Sequence, residues 1–177
     1  MEEPAALQKI FSNLGPATSA YSNGGWNLDG PTSLAGSSQF MAMPFKPKAN
    51  AHVSQIRAAV QYSGSGANQV NLSLYSDVSG APGVLLAGPV TVKNLPTFFT
   101  CCELATANIP STAVTAGTQY WVVADTPSTG TGSDFYGVWA FVSPSKSLVG
   151  ADLGGGGWFS FGAAIQEPAG AVYGTIP

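Results

Sequence analysis

The sequence predicts an all-β protein, an antiparallel and jelly-roll-like β-sandwich of about ten short strands. Three observations carry that prediction. Apolar residues alternate at period two in segment after segment, with no convincing helical stripe. Turn formers punctuate the gaps, as in Gly15-Pro16, Asn23-Gly24-Gly25, Gly80-Ala81-Pro82-Gly83, Asn94-Leu95-Pro96 and Gly154–Gly157. Charged residues make up only 8% of the chain against 45% hydrophobic, so the surface is mostly uncharged and polar. With 177 residues the chain fits one domain able to bury a core, and neither an internal repeat nor a second domain is visible.

Taken in order, Glu2–Lys9 has the composition of a brief helical turn but not the length to hold one, and Leu7–Phe11 reads as the first strand. Gln39–Phe45 follows. Ile56, Ala58, Val60 and Tyr62 share one face of a half-buried strand, as do Val70, Leu72 and Leu74 with Asn71 and Ser73 outside. The polar stretch Ser63–Asn68 between them predicts a hairpin with a long tip. Val84–Ala87, Val90–Lys93 and Phe98–Leu104 are further strands. Gln119–Ala124 and Tyr136–Val142 are apolar on both faces and read as the central strands, with Trp121 and Trp139 in the core and a polar loop, Asp125–Asp134, between them. Trp158–Phe161 and Ala171–Gly174 complete the set.

Six basic residues and a net charge of −3 cannot build the stripe that phosphate neutralisation needs, so nucleic acid is excluded as a partner. No run of apolar residues is long enough to cross a bilayer as a helix, and no basic amphipathic segment would hold anionic lipid. Met1-Glu2-Glu3-Pro4 opens acidic and without an apolar core, so no signal peptide is expected here. That leaves a cytoplasmic protein or an exported one whose leader lies outside this sequence. The low lysine content and the wealth of Ser, Thr, Gly and aromatics favour an extracellular or cell-surface protein.

Candidate chemistry is sparse. Nucleophilic catalysis needs a base beside a nucleophile, and the single histidine, His52, falls at a strand edge where a solvated side chain is the simpler reading. Glycoside chemistry needs two facing carboxyls, and nothing in the spacing of Asp77, Glu103, Asp125 and Asp134 pairs them; no enzyme is expected. One His and two adjacent Cys make no zinc site. Calcium, the weak alternative among cofactors, would use Asp77 with Ser79 or Asp125 with Asp134, against an Asp77 that caps its own turn. Cys101-Cys102 leaves three possibilities open. These are a vicinal disulfide, which needs a local distortion of extended backbone, two reduced thiols on opposite faces of a strand, and a metal or intermolecular role. Asn71-Leu72-Ser73 fits a glycosylation acceptor only formally, since it lies mid-strand, and Gly154–Gly157 lacks the context of a phosphate loop.

Four segments together resemble a known family. Gln39-Phe40-Met41-Ala42-Met43-Pro44-Phe45, the run Leu72–Gly83 with its Ser-Asp…Gly-Ala-Pro-Gly turn, Ala116–Val123 with Gly-Thr-Gln-Tyr-Trp, and Ala171-Val172-Tyr173-Gly174 are similar to bacterial choice-of-anchor domains, over about Ile10 to Gly174. The resemblance implies an exported β-sandwich surface module, often followed by a sorting tail of the PEP-C-terminal type, with no established chemistry.

The aromatics are the strongest binding candidates. Sugar rings present apolar C–H faces that stack on Trp and Tyr, while their hydroxyls pair with Asn, Gln, Asp and Ser. Trp26, Phe135, Tyr136 and Trp158 all adjoin flexible polar segments and are the expected ligand-binding residues. The expected function is a non-catalytic module that binds a neutral polysaccharide or surface glycan. The alternative is a structural or adhesive protein that associates with itself or a partner through strand edges or apolar patches, since low charge weakens repulsion between copies.

Overall fold

The computed structural model describes residues 6–15, 21, 24–162 and 165–177, with 143–145 as backbone alone, and every element among them is a strand, turn or bend. In chain order the strands are β1 (Gln8–Ser12), β2 (Gly25–Asp29), β3 (Gln39–Phe45), β4 (Ala51–Ala58), β5 (Val60–Ser65), β6 (Gln69–Val78) and β7 (Ala81–Lys93). They continue as β8 (Ala105–Val114), β9 (Tyr120–Asp125), β10 (Tyr136–Ser147), β11 (Gly150–Leu153), β12 (Phe159–Ser160), β13 (Ile165–Pro168) and β14 (Gly170–Thr175). The smaller sheet runs β1-β14-β4-β8; the larger runs β13-β10-β2-β3-β9-β6-β7, with β5 also on β10 and the β11–β12 pair on β3. The protein is an all-β antiparallel sandwich, as its alternation predicts.

The core follows from that alternation. Val53, Ile56 and Ala58 of β4 and Ala105, Ala107 and Ile109 of β8 turn inward from the small sheet. They join Met41, Met43, Leu72, Leu74, Val122 and Trp139 of the large one. β9 is apolar on both faces because both are covered: Ala42, Trp121 and Val123 form a second cluster on the far side of the large sheet, beneath Tyr75, Leu148 and Trp158. Trp121 and Trp139 are fully buried, as expected of central strands.

Where the two sheets meet, small side chains allow three backbones to close on one another. Ala59 N–H donates to the Ala169 carbonyl at 3.0 Å, Ala169 N–H to that of Ala140 at 2.8 Å, and Ala140 N–H to that of Ala59 at 3.0 Å. All three alanines have no exposed surface, and Trp139 Nε1 caps the junction by donating to the Ala169 carbonyl at 2.9 Å. Here the chain passes from β4 in one sheet to β5 in the other, and again from β13 to β14.

That junction corrects the expected hairpin. Ile56, Ala58 and Val60 are buried, but so are Ala59 and Gln61: the run changes sheets at Ala59 and the alternation breaks there, so β4 pairs with β14 and β8, β5 pairs with β10, and neither pairs with β6. Val84–Ala87 and Val90–Lys93 are one strand, β7; Pro82 and Pro89 fit there because an edge strand can spare a donor. Phe98–Leu104 is not a strand. It is a turn-rich segment tied to Gln61, whose Nε2 donates to the Thr100 carbonyl at 2.8 Å and whose Oε1 accepts from Phe99 N–H at 3.2 Å. Cys101 and Cys102 in it are joined as a vicinal disulfide. The suggested helical turn falls on 2–5, outside the described residues, and on extended chain from residue 6.

Candidate functional site

One set of aromatics that reach solvent together lies where β2, β10 and the β11–β12 excursion meet. Trp26 on β2 stands opposite Trp139 on β10 in register, and Phe141 follows two residues along the same face. The Trp26 indole is half-buried and fixed, with Nε1 donating to the Gln166 carbonyl at 2.8 Å. Phe161 stacks on it with centroids 5.4 Å apart and planes 10° from parallel, while Phe141 meets it edge-on at 5.6 Å. Phe159 adds an edge-to-face contact with Phe161 at 5.1 Å. Phe159 and Phe161 leave 39% and 42% of their surface exposed, enough to present apolar area.

Local chemistry explains how the excursion forms. Gly154, Gly155 and Gly157 adopt positive φ of 67°, 76° and 98°, which a side chain would resist, and the turn is pinned where Asp152 Oδ1 accepts from Gly157 N–H at 3.3 Å. Ala151 then pairs with Phe159 and Gly150 with Ser160. Because strand residues alternate, Phe159 and Phe161 share one side, and Trp158 takes the other.

The four expected residues are therefore dispersed. Trp26 belongs to the cluster just described. Trp158 turns inward over Trp121, with its ring 6.5 Å from that of Tyr75. Tyr136 is half-buried at the start of β10, opposite Asp29 and Ser65. Phe135 corrects the loop-surface expectation, because it is fully buried beneath Gly137, whose missing Cβ leaves room for the ring. Phe159, Phe161 and Phe141 were not singled out from the sequence, although the Phe-Ser-Phe alternation placed two of them on one face.

The acids are spread through structural roles. Asp77 Oδ1 accepts from Gln119 Nε2 at 2.7 Å and Trp121 Nε1 at 2.8 Å, and its Oδ2 accepts from Gly80 N–H at 3.1 Å. The residue thus caps its own turn and anchors a buried indole. Asp134 accepts from Ala67 N–H at 3.0 Å. Burial pushes Asp125 up to about 6, opposed by a hydrogen bond from Asn71, and Tyr75 beside it is raised by its own burial and by that carboxylate. Among the described residues no three His, Cys, Asp or Glu side chains converge as a metal site. His52 and Glu103 are exposed.

Asp29, which the sequence did not single out, also sits in a perturbed environment. It is 3% exposed, its Oδ1 has no hydrogen-bond partner, and burial pushes its carboxyl up to about 6 against a hydrogen bond with the Gly137 backbone. Compared with known proteins, the chain matches no family model, no curated protein and no solved structure.

Proposed function

We propose that this chain is a non-catalytic extracellular module that binds a neutral polysaccharide or surface glycan through the Trp26–Phe161–Phe159 cluster. The observation that supports this reading is a fixed, half-buried indole extended by two phenylalanines with large exposed fractions. Exposed rings of this kind offer an apolar face to sugar C–H groups, and the indole is held in place before any ligand arrives, which lowers the ordering cost of binding. The low lysine content and the wealth of Ser, Thr, Gly and aromatics support the extracellular placement.

The test is affinity electrophoresis and pull-down against a panel of neutral polysaccharides, with wild type beside the Phe159→Ala/Phe161→Ala double variant. Retardation by at least one polysaccharide that falls about tenfold or more in the variant is expected, because two stacking contacts are lost. Failure of the wild type across the panel, or undiminished binding by a folded double variant, overturns the proposal.

One observation favours self-association as a second reading. β7 is the terminal strand of the large sheet, and Val84, Leu85 and Leu86 on it are 62%, 42% and 38% exposed. Such an edge is a template for a second copy. Under this reading, light scattering across a concentration series shows a rise in mass that Leu85→Lys abolishes; a monomer at all concentrations refutes it.

A further inference from the structure

A separate feature lies on the opposite end of the chain's chemistry, among the few cations. Lys9 of β1 and Lys46 and Lys48 beyond β3 line one hollow of about 370 Å³, together with Phe11, Ser12 and Leu14. The three lysines are exposed while those three neighbours are half-buried, so ammonium groups rim a partly apolar floor. Among the described residues no carboxylate lines this hollow, and none of the three lysines has an ion pair.

A second hollow of about 280 Å³ adjoins it, sharing Lys9, Ser12 and Leu14 and adding Tyr21 and Tyr173. Tyr173 stands opposite Lys9 across the β1–β14 pair. The Arg57 guanidinium lies 4.3 Å above the Tyr173 ring, steered by a 2.7 Å hydrogen bond from its Nε to Gln55 Oε1. Three of the chain's six basic residues, Lys9, Lys46 and Lys48, thus line these two adjoining hollows in a protein of net charge −3, with Arg57 above the Tyr173 ring that lines the second. Among the described residues, Glu103 lies beside Tyr21, and Glu167 shares the next hollow with Lys46.

A hollow lined by charges of one sign focuses their field and raises the local concentration of an oppositely charged ligand. We propose that the Lys9–Lys46–Lys48 hollow binds an acidic polysaccharide, one carrying a carboxylate on its sugar units. Spaced single charges suit lysines, which act as point charges, and the only arginine, which could supply a bidentate fork, is occupied with Tyr173 and Gln55. The half-buried Phe11 and Leu14 offer the apolar contact that a sugar ring's C–H face needs, and a hollow of this size accommodates a short stretch of a chain. The net negative charge of the whole protein disfavours a densely charged polymer such as nucleic acid. The proposal is independent of the Trp26–Phe161–Phe159 reading, since it concerns different residues and a charged ligand.

The test is binding of polygalacturonate by isothermal titration calorimetry, with fully methyl-esterified polygalacturonate as the same backbone without charge. The wild type binds the acid form, loses about tenfold or more in affinity between about 20 and 300 mM salt, and does not bind the ester at this hollow. Lys9→Gln/Lys46→Gln/Lys48→Gln weakens binding by about tenfold or more, while Lys93→Gln/Lys146→Gln, which removes cations elsewhere, leaves it unchanged. Phe159→Ala/Phe161→Ala also leaves it unchanged, which separates this site from the aromatic cluster. Four results overturn the proposal: no binding by the wild type, equal binding of the ester, equal loss in the Lys93/Lys146 variant, or displacement by single-stranded DNA at matched charge. Melting curves establish that each variant is folded.

Discussion

The buried carboxylate of Asp29 makes stability depend on pH in an unusual direction. Folding raises its pKa from 3.8 to about 6, so the folded state holds the proton more tightly than the unfolded chain. Its favourable contribution is complete below the unfolded value, fades as pH rises toward 6, and is gone above it. The shift corresponds to about 3 kcal/mol, at about 1.4 kcal/mol per unit. Asp125, likewise raised to about 6 by burial, adds a change of the same sign over the same window. The protein is therefore expected to be more stable near pH 4 than at pH 7.5. Asp29→Asn removes one of the two titrations. At pH 7.5 it relieves the buried charge but leaves an unpaired amide where Oδ1 was, so a net gain of about 1–2 kcal/mol is expected. Urea unfolding followed by the fluorescence of Trp121 and Trp139, at pH steps from 4 to 8, measures both effects. Wild-type stability that rises from pH 4 to 7, or a variant whose pH profile keeps its full slope, refutes the reasoning.

Asp77→Ala removes the acceptor for Gln119, Trp121 and Gly80 and strands a buried indole N–H, so a loss of about 3 kcal/mol is expected in the same assay, whereas chelator leaves the melting temperature of the wild type unchanged. Gly137→Ala drives a Cβ into the Gln61 carbonyl and the Phe135 ring, and is expected to cost about 3 kcal/mol or more, read as a lower urea midpoint or as failure to accumulate folded protein. Alkylation followed by mass spectrometry is expected to modify Cys101 and Cys102 only after reduction, because the two sulfurs are bonded to each other.

Period-two alternation is a property of near neighbours along the chain, and the sequence alone determined from it that this protein is all-β and that the runs Gln119–Ala124 and Tyr136–Val142 hold its central strands, seen as Tyr120–Asp125 and Tyr136–Ser147. Composition settled the low surface charge in the same way. Pairing is not local. Nothing in Ile56–Tyr62 marks Ala59 as the point where the chain leaves one sheet for the other, because that depends on Ala140 and Ala169 closing on it from far along the sequence. Burial is not local either: Phe135 reads in the sequence as a loop aromatic but is buried where Gly137 makes room for it, and nothing in the sequence marks Asp29 as the acid whose surroundings remove the water from it. The two proposed surfaces have the same origin. Trp26 meets Phe161, and Lys9 shares a hollow with Lys46 and Lys48, only because strand pairing and the packing of one sheet on the other bring distant segments together, and side-chain exposure is fixed by that assembly rather than by the residues themselves.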